Sequence, residues 1–123
     1  MSLADLVEVP VTGLLGLIPW EEGRQGKGYK RWCIFSSPNL EVDCYLLYMP
    51  TGSKVPPHTD PVTDRDHYRV NVILRQPESG GEFLGNAIIK GQRLIYFRPD
   101  QVKHEVREVK EGYRLVLSVG WLK

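Results

Sequence analysis

Short runs of branched and aromatic residues, closed by glycine and proline turns, constrain the fold of this chain more than any other feature. The run 67–74 (HYRVNVIL) alternates so that Tyr68 and Val70 face one way while Arg69 and Asn71 face the other. Such alternation over a short run, bounded by turn residues, is typical of β-strands rather than helices. The chain is therefore predicted to be mainly β.

Eight strands of this kind predict a two-sheet sandwich or jelly roll with a barrel mouth where side chains from different strands converge. The predicted strands are 31–36, 41–49, 67–74, 81–84, 87–90, 93–98, 104–109 and 113–122. Only Ser2–Val7 has a helical pattern, and it is too short to be stable alone. Little helix is expected.

The length of 123 residues predicts a single domain over 1–123, with its core at about 31–122. Sixteen Lys and Arg residues nearly balance fifteen Asp and Glu residues, and no basic run is longer than Lys30-Arg31. Composition therefore gives no support for a nucleic-acid partner.

Two cysteines, Cys33 and Cys44, provide neither a disulfide framework nor a CxxC metal site. The segment Val11–Ile18 is too short and too interrupted by glycine for a signal peptide. No apolar stretch approaches the roughly 20 residues that span a bilayer. We expect a soluble, cytoplasmic protein with no membrane partner.

His58-x-Asp60, followed later by His104, supplies two imidazoles and one carboxylate, the ligand set that holds Fe(II) on one face and leaves the other open. His58 and Asp60 are two residues apart, so extended backbone points both to one side. The prolines in 55–57 stiffen the backbone that precedes His58, and they exclude a central strand there. His67 is a rival to His104 as the third ligand.

Arg114 follows the last of these candidate ligands. A basic side chain at this point is suited to bind the far carboxylate of a dicarboxylate cosubstrate, because a planar guanidinium matches a planar carboxylate. Together the four residues indicate an oxygenase.

The chain resembles the prolyl-4-hydroxylase-like branch of the Fe(II)- and 2-oxoglutarate-dependent dioxygenases, over about Val42 to Trp121. No single motif is decisive, but their order and spacing match. The matching pieces are Tyr48, Gly52, PHTD at 57–60, HYRVNVIL at 67–74, GGEF at 80–83, RLIYF at 93–97, HEV at 104–106 and GYRLVLSVGW at 112–121.

The resemblance implies a double-stranded β-helix, a cupin-like jelly roll, here in a near-minimal version. It implies that His58, Asp60 and His104 ligate Fe(II), with 2-oxoglutarate and molecular oxygen at the open positions. Arg114 would bind the distal carboxylate of 2-oxoglutarate. The implied reaction couples oxidative decarboxylation of 2-oxoglutarate, to succinate and CO2, to hydroxylation of an unactivated C–H bond. No general base is assigned, so the ligands form the catalytic set.

Three further residues are expected to contact the cosubstrate. Tyr48 ends a strand where many relatives have a tyrosine at the cosubstrate. Ser118 shares a face with Arg114 by alternation, and is suited to donate a hydrogen bond. Asn71 shares a face with Arg69, and one of these two is expected to line the pocket.

Two other functions fit parts of the pattern. A zinc hydrolase could use the same three ligands with Asp64 or Asp66 as base, but Arg114 would then lack a role. A sensor could bind metal and 2-oxoglutarate without turnover. A cupin-type metal site fits less well, because Asp60 stands where such sites have a second histidine.

The primary substrate is not specified by the sequence. The resemblance suggests a proline-like protein side chain, with small molecules nearly as well suited. Residues 20–32 either form a lid over the pocket or cover an edge of the core, and 60–66 is a second candidate rim loop.

Overall fold

The computed structural model describes residues 15–23 and 27–123. Twelve β-strands form within these residues. Their bounds are β1 Glu21–Glu22, β2 Lys30–Ser37, β3 Val42–Met49, β4 Val55–His58, β5 His67–Arg75, β6 Ser79–Gly80, β7 Phe83–Leu84, β8 Ile89–Lys90, β9 Leu94–Phe97, β10 His104–Val106, β11 Val109–Glu111 and β12 Arg114–Leu122.

Seven strands form one antiparallel sheet in the order β1-β2-β3-β12-β5-β9-β8. A smaller sheet has the order β4-β10-β7, and β11 pairs with β6. This mainly β architecture of one large and two smaller sheets confirms the predicted jelly roll. No helix among the described residues is long and apolar enough to cross a membrane.

The hydrophobic core joins the large sheet to the small one. Phe97 from β9 and Phe83 from β7 meet edge to face, with ring centroids 5.0 Å apart. Val116 of β12 and Val109 of β11 are completely buried. Burying an apolar side chain of this size stabilises the fold by about 1.5–3 kcal/mol, so these contacts hold the two sheets together around the interior.

Along the central strand β12, residues alternate between buried and half-buried. Arg114, Val116, Ser118 and Gly120 are buried, whereas the residues between them are half-buried on the opposite face of the sheet. Because side chains alternate between the two faces of a strand, β12 presents one cation and one hydroxyl to the interior of the barrel.

The predicted strands are found, with shorter bounds in the second half of the chain. The stretch 81–84 is a strand only at Phe83–Leu84, because Gly81 has a left-handed φ of 73°. The stretch 87–90 is a strand only at Ile89–Lys90. The stretch 104–109 divides into β10 and β11.

Three short strands, β1, β4 and β6, were not predicted. β1 lies in a polar, glycine-rich segment, where it pairs with Lys30 and Arg31. β6 follows β5 and pairs with β11. The proline-containing β4 is an edge strand, as its composition requires. The helical pattern at Ser2–Val7 lies outside the described residues.

Gly120 is required by the packing of Arg69 across the sheet. A Cβ at position 120 would lie 2.2 Å from Nη2 of Arg69. We therefore expect Gly120→Ala to lower the free energy of unfolding by about 1–3 kcal/mol, the range for overpacking a dense interior, measured by chemical denaturation. Gly91→Ala is the matched control, because its nearest atom would be the carbonyl oxygen of Leu94 at 3.6 Å. Equal stability of the two variants would contradict this packing.

Candidate functional site

A cavity of about 210 Å3 lies between the two sheets. Its wall combines apolar side chains, including Leu47, Met49, Phe83 and Phe97, with an unusual density of ionisable groups. The ionisable groups on the wall are Arg31, Asp43, His58, Asp60, His67, Arg69, His104 and Arg114, together with the phenols Tyr29 and Tyr45.

His58 and His104 face each other across the small sheet. They are direct partners in the pairing of β4 with β10, and their ring centroids are 4.3 Å apart. Each Nδ1 lies 2.8 Å from a main-chain carbonyl oxygen two residues earlier, that of Pro56 or Val102. A ring that donates from Nδ1 leaves Nε2 as the free lone pair, the arrangement that orients histidine metal ligands.

Asp60 completes a cluster with these two imidazoles. Its carboxylate oxygens lie 3.5 Å from Nε2 of His58 and 3.6 Å from Nε2 of His104. Its amide donates to the carbonyl oxygen of Pro99 at 2.7 Å, which fixes the loop after β4. Burial raises the pKa of Asp60, but the adjoining imidazoles outweigh it and hold that pKa well below its usual range. The carboxylate is therefore ionised, as a metal ligand must be.

The three ligand atoms all lie within 4.8 Å of one another, a spacing that fits one metal ion. The phenyl rings of Phe97 and Phe83 pack against the imidazole of His104, with centroids at 5.0 and 6.1 Å. These rings cover one side of the cluster with apolar surface. A His/Asp/His donor set with a covered face and an open face is compatible with Fe(II) and with Zn(II).

His67 lies outside this cluster, although it lines the same cavity. Its Nε2 is 3.5 Å from Nη2 of Arg69, and its buried Nδ1 has no hydrogen-bond partner among the described residues. Burial and the nearby guanidinium of Arg69 lower the pKa of His67. Of the two rival histidines, the structure brings His104 to His58 and Asp60.

Arg114 is the most unusual charge in the cavity. Only 3% of its surface is exposed, and burial lowers its pKa to about 10. Its Nη1 contacts the sulfur of Met49 at 3.7 Å, whereas Nη2 has no hydrogen-bond partner and no carboxylate faces it within the described part of the chain. A buried cation without a counterion costs several kcal/mol, and an anion bound beside Arg114 would offset that cost.

Ser118 and Asn71 belong to a hydrogen-bonded row across the large sheet. They are direct cross-strand partners, and Oγ of Ser118 donates to Oδ1 of Asn71 at 2.6 Å. The same Oγ accepts from Nη1 of Arg69 at 2.8 Å, and Nη2 of Arg69 donates to Asp43 at 2.6 Å. Both residues line the cavity with Arg69, but the hydroxyl of Ser118 is already bonded within the protein.

Tyr48 is not among the residues that line the cavity. Its ring packs between Trp20 and Tyr113, each with its centroid 5.5 Å away. Alternation along β3 explains this placement, because Tyr45, Leu47 and Met49 occupy the interior face. The structure therefore brings Tyr45, and not Tyr48, to the candidate site.

Sequence reasoning missed Arg31, Asp43 and Tyr45 as cavity residues. The available signal was strand parity, since Asp43 and Tyr45 are an even number of residues from the buried Met49. Strand parity does not single out Arg31. Its strand, β2, lies next to the edge strand β1 and has polar residues on both faces.

The two loop predictions have different outcomes. Residues 24–26 of the 20–32 segment lie outside the described residues, but Tyr29 and Arg31 line the cavity while Trp20 covers Tyr48. Within the 60–66 loop, neither Asp64 nor Asp66 lines the cavity. The carboxylate of Asp66 instead accepts from Arg98 at 3.0 Å, so neither residue is placed as a base at the cluster.

Comparison with solved structures identifies the fold. A prolyl-4-hydroxylase from Pseudomonas putida aligns with a TM-score of 0.69 at 18% identity, covering 98% of this chain and 85% of that one. The cupin domain of Schizosaccharomyces pombe Cnp3 aligns with a TM-score of 0.61 at 13% identity, covering 89% and 72%. These similarities, with the β architecture, show a cupin-type jelly roll.

A third similar structure is a viral collagen prolyl hydroxylase from Paramecium bursaria Chlorella virus-1, in a 2-oxoglutarate complex. It aligns with a TM-score of 0.57 at 16% identity, covering 94% of this chain and 87% of that one. No protein-family model matches the sequence, and no curated protein is significantly similar to it. Fold and cluster together fit a metal-dependent cupin.

The cluster predicts one bound metal ion per chain, with His104 as a direct ligand. Loss of an outer partner of a metal ligand costs about 10–100-fold in affinity, so His104→Ala should cost more than that. Metal content after equilibration with Fe(II) under anaerobic conditions, measured by plasma mass spectrometry, checks this. His67→Ala is the control and should retain the metal. Retention by His104→Ala with loss in His67→Ala would reverse the choice of ligand.

Proposed function

We propose that this protein is an Fe(II)- and 2-oxoglutarate-dependent dioxygenase that hydroxylates an unactivated C–H bond. One observation carries the proposal: a His/Asp/His cluster lines the same cavity as a buried arginine that has no counterion among the described residues. A metal site alone fits many activities. The additional cation calls for a ligand that reaches from the metal to a second anionic group, as a dicarboxylate does.

Iron is the metal that this donor set and its surroundings favour. Two imidazoles and one carboxylate on one face are characteristic of non-haem Fe(II) oxygenases with open positions on the other face. His58, Asp60 and His104 are the ligands in this proposal. The likeness to a prolyl-4-hydroxylase and to a hydroxylase in a 2-oxoglutarate complex supports the same assignment.

Arg114 is the proposed anchor for the distal carboxylate of 2-oxoglutarate. Its Nη2 is unsatisfied, and its surroundings exclude water, so a charge-assisted hydrogen bond there is stronger than at an exposed site. Ser118 and Asn71, which are hydrogen-bonded to each other, form part of the cavity wall in this proposal.

When bound, Fe(II) supplies the redox chemistry through which molecular oxygen and 2-oxoglutarate oxidise the substrate, with succinate and CO2 as co-products. The residues of this chain contribute binding and orientation. Main-chain carbonyls hold the two imidazoles in one tautomer, and Phe83 and Phe97 exclude water from one side of the cluster. No general base is needed, and none is assigned.

The zinc hydrolase alternative loses support from the geometry. It requires a carboxylate base near the metal, and the two candidates, Asp64 and Asp66, do not line the cavity. It also leaves the buried cation of Arg114 without a function. The sensor alternative shares both binding sites with the dioxygenase, and formation of succinate by the iron-loaded protein separates the two.

Replacing Arg114 should separate cosubstrate binding from metal binding and from folding. Because an unpaired buried cation is destabilising, Arg114→Met should raise the melting temperature of the ligand-free protein. Its affinity for 2-oxoglutarate should fall roughly 10- to 100-fold, the value of about 1.5–3 kcal/mol for a hydrogen bond to a charged group. Anaerobic thermal shift assays with Fe(II), with and without 2-oxoglutarate, measure both effects.

The control for this variant is Arg107→Gln, which removes an exposed arginine from the loop after β10. It should keep the stabilisation that 2-oxoglutarate gives the wild-type protein, about 2.7 kcal/mol at 100 times the Kd. An Arg114→Met variant that binds 2-oxoglutarate as the wild type does would refute the assignment of this residue.

A further inference from the structure

We propose that the primary substrate is a small free carboxylic acid, and that Arg31 binds its carboxylate on the β2 wall of the cavity. This inference rests on the proposed function, because it concerns the molecule that is hydroxylated. Arg31 would then be a second anion-binding residue, separate from Arg114, and the substrate would be a small acid rather than a protein side chain.

The three arginines that line the cavity differ in their interaction partners. Arg69 is fully engaged, because it donates to Asp43 at 2.6 Å and to Ser118 at 2.8 Å. Arg114 is buried without a counterion and is assigned to the cosubstrate. Arg31 is assigned to neither role, and among the described residues it is the third arginine on the wall.

The charges of the cavity do not balance without a second anion. Among the described residues two carboxylates line it, and Asp60 belongs to the metal cluster while Asp43 neutralises Arg69. A dianionic cosubstrate would place one carboxylate at the metal and one at Arg114. Within the described part of the chain, the ion-pair partner left to Arg31 is Glu21, at 3.7 Å between Nη2 and Oε2.

Glu21 is a weak competitor for Arg31. Its side chain is 60% exposed on the two-residue edge strand β1, and exposed ion pairs contribute little stability. The side chain of Arg31 is only 26% exposed, so it is the better-shielded partner. An arriving carboxylate can therefore take the place of Glu21 at small cost.

Arg31 also has an unused donor and a fixed orientation. Its Nε is buried and has no hydrogen-bond partner among the described residues. Its guanidinium lies over the ring of Tyr45, 5.2 Å from the centroid, and Tyr45 lines the same cavity. A guanidinium can hold a carboxylate through charge-assisted hydrogen bonds, and the ring of Tyr45 keeps the guanidinium of Arg31 in place for that contact.

The size of the cavity favours a small acid. Its volume of about 210 Å3 must also accept the cosubstrate, whereas ligand pockets usually have about 300–1,000 Å3. A small acid with its carboxylate on Arg31 needs little of this volume beside the cosubstrate.

The test uses the anaerobic Fe(II)-loaded protein saturated with 2-oxoglutarate. The probes are the common free L-amino acids and short aliphatic acids, each compared with its primary amide by calorimetry. In the proposal at least one acid binds, and its amide binds at least about tenfold more weakly, the loss expected for one charge-assisted contact. In air, the acid that binds should raise succinate formation and gain one oxygen by mass spectrometry.

Three variants locate the contact. Arg31→Gln should abolish the preference for acid over amide, while the Kd of 2-oxoglutarate stays within about twofold of the wild-type value. Arg31→Lys should restore part of the preference, because it restores the charge without the paired donors. Glu21→Gln should bind the acid at least as tightly as the wild type, because it removes the competitor.

Several results would overturn the inference: acid and amide binding equally, no acid binding, binding only of peptides, or Arg31→Gln weakening 2-oxoglutarate instead of the acid. Failure of the proposed function looks different. In that case the wild-type protein does not bind 2-oxoglutarate at all. Binding of acids that depends on Arg31 can still be measured in the absence of 2-oxoglutarate.

Discussion

The pairing of β12 between β3 and β5 is the constraint on which the site depends. Its hydrogen bonds to both neighbours fix the register over almost its whole length, from Arg114 paired with Met49 to Trp121 paired with Val42. A slip of one residue would turn every inward side chain of a strand outward. The same ladder therefore places Arg114 and Ser118 in the cavity and leaves Gly120 beneath the guanidinium of Arg69.

The interior of this barrel is less stable than an apolar interior of the same shape would be. An apolar residue in place of Arg114 would remove a desolvated charge, and one in place of His104 would extend the contacts of Phe97 and Phe83. The cluster of His58, Asp60 and His104 is likewise held by main-chain contacts that position it rather than by apolar packing. Polar groups that are buried but incompletely paired indicate function, because folding alone does not favour them.

The sequence predicted the jelly roll from strand alternation and the pair His58 and Asp60 from its spacing, because both are local signals. His104 was preferred to the rival His67 through the family resemblance, and the structure brings His104 to the pair. The sequence did not predict β1 or β6, since strands of two residues carry no periodicity. Tyr48 was predicted from its place at the end of a strand, where many relatives have a tyrosine, whereas alternation along β3 places Tyr45 and not Tyr48 on the cavity face. Arg31, Arg69 and Arg114 differ in their ion-pair and hydrogen-bond partners. This difference could not be predicted, because only the folded chain brings those partners together.

The most direct test of the account is an anaerobic titration of the protein with Fe(II) and then with 2-oxoglutarate, followed in the visible spectrum. Bidentate binding of 2-oxoglutarate to a three-ligand iron predicts a weak metal-to-ligand charge-transfer band that saturates at one equivalent of each component. Tight binding of Zn(II) with no such band from Fe(II) and 2-oxoglutarate would contradict the account and leave a metal site without a cosubstrate.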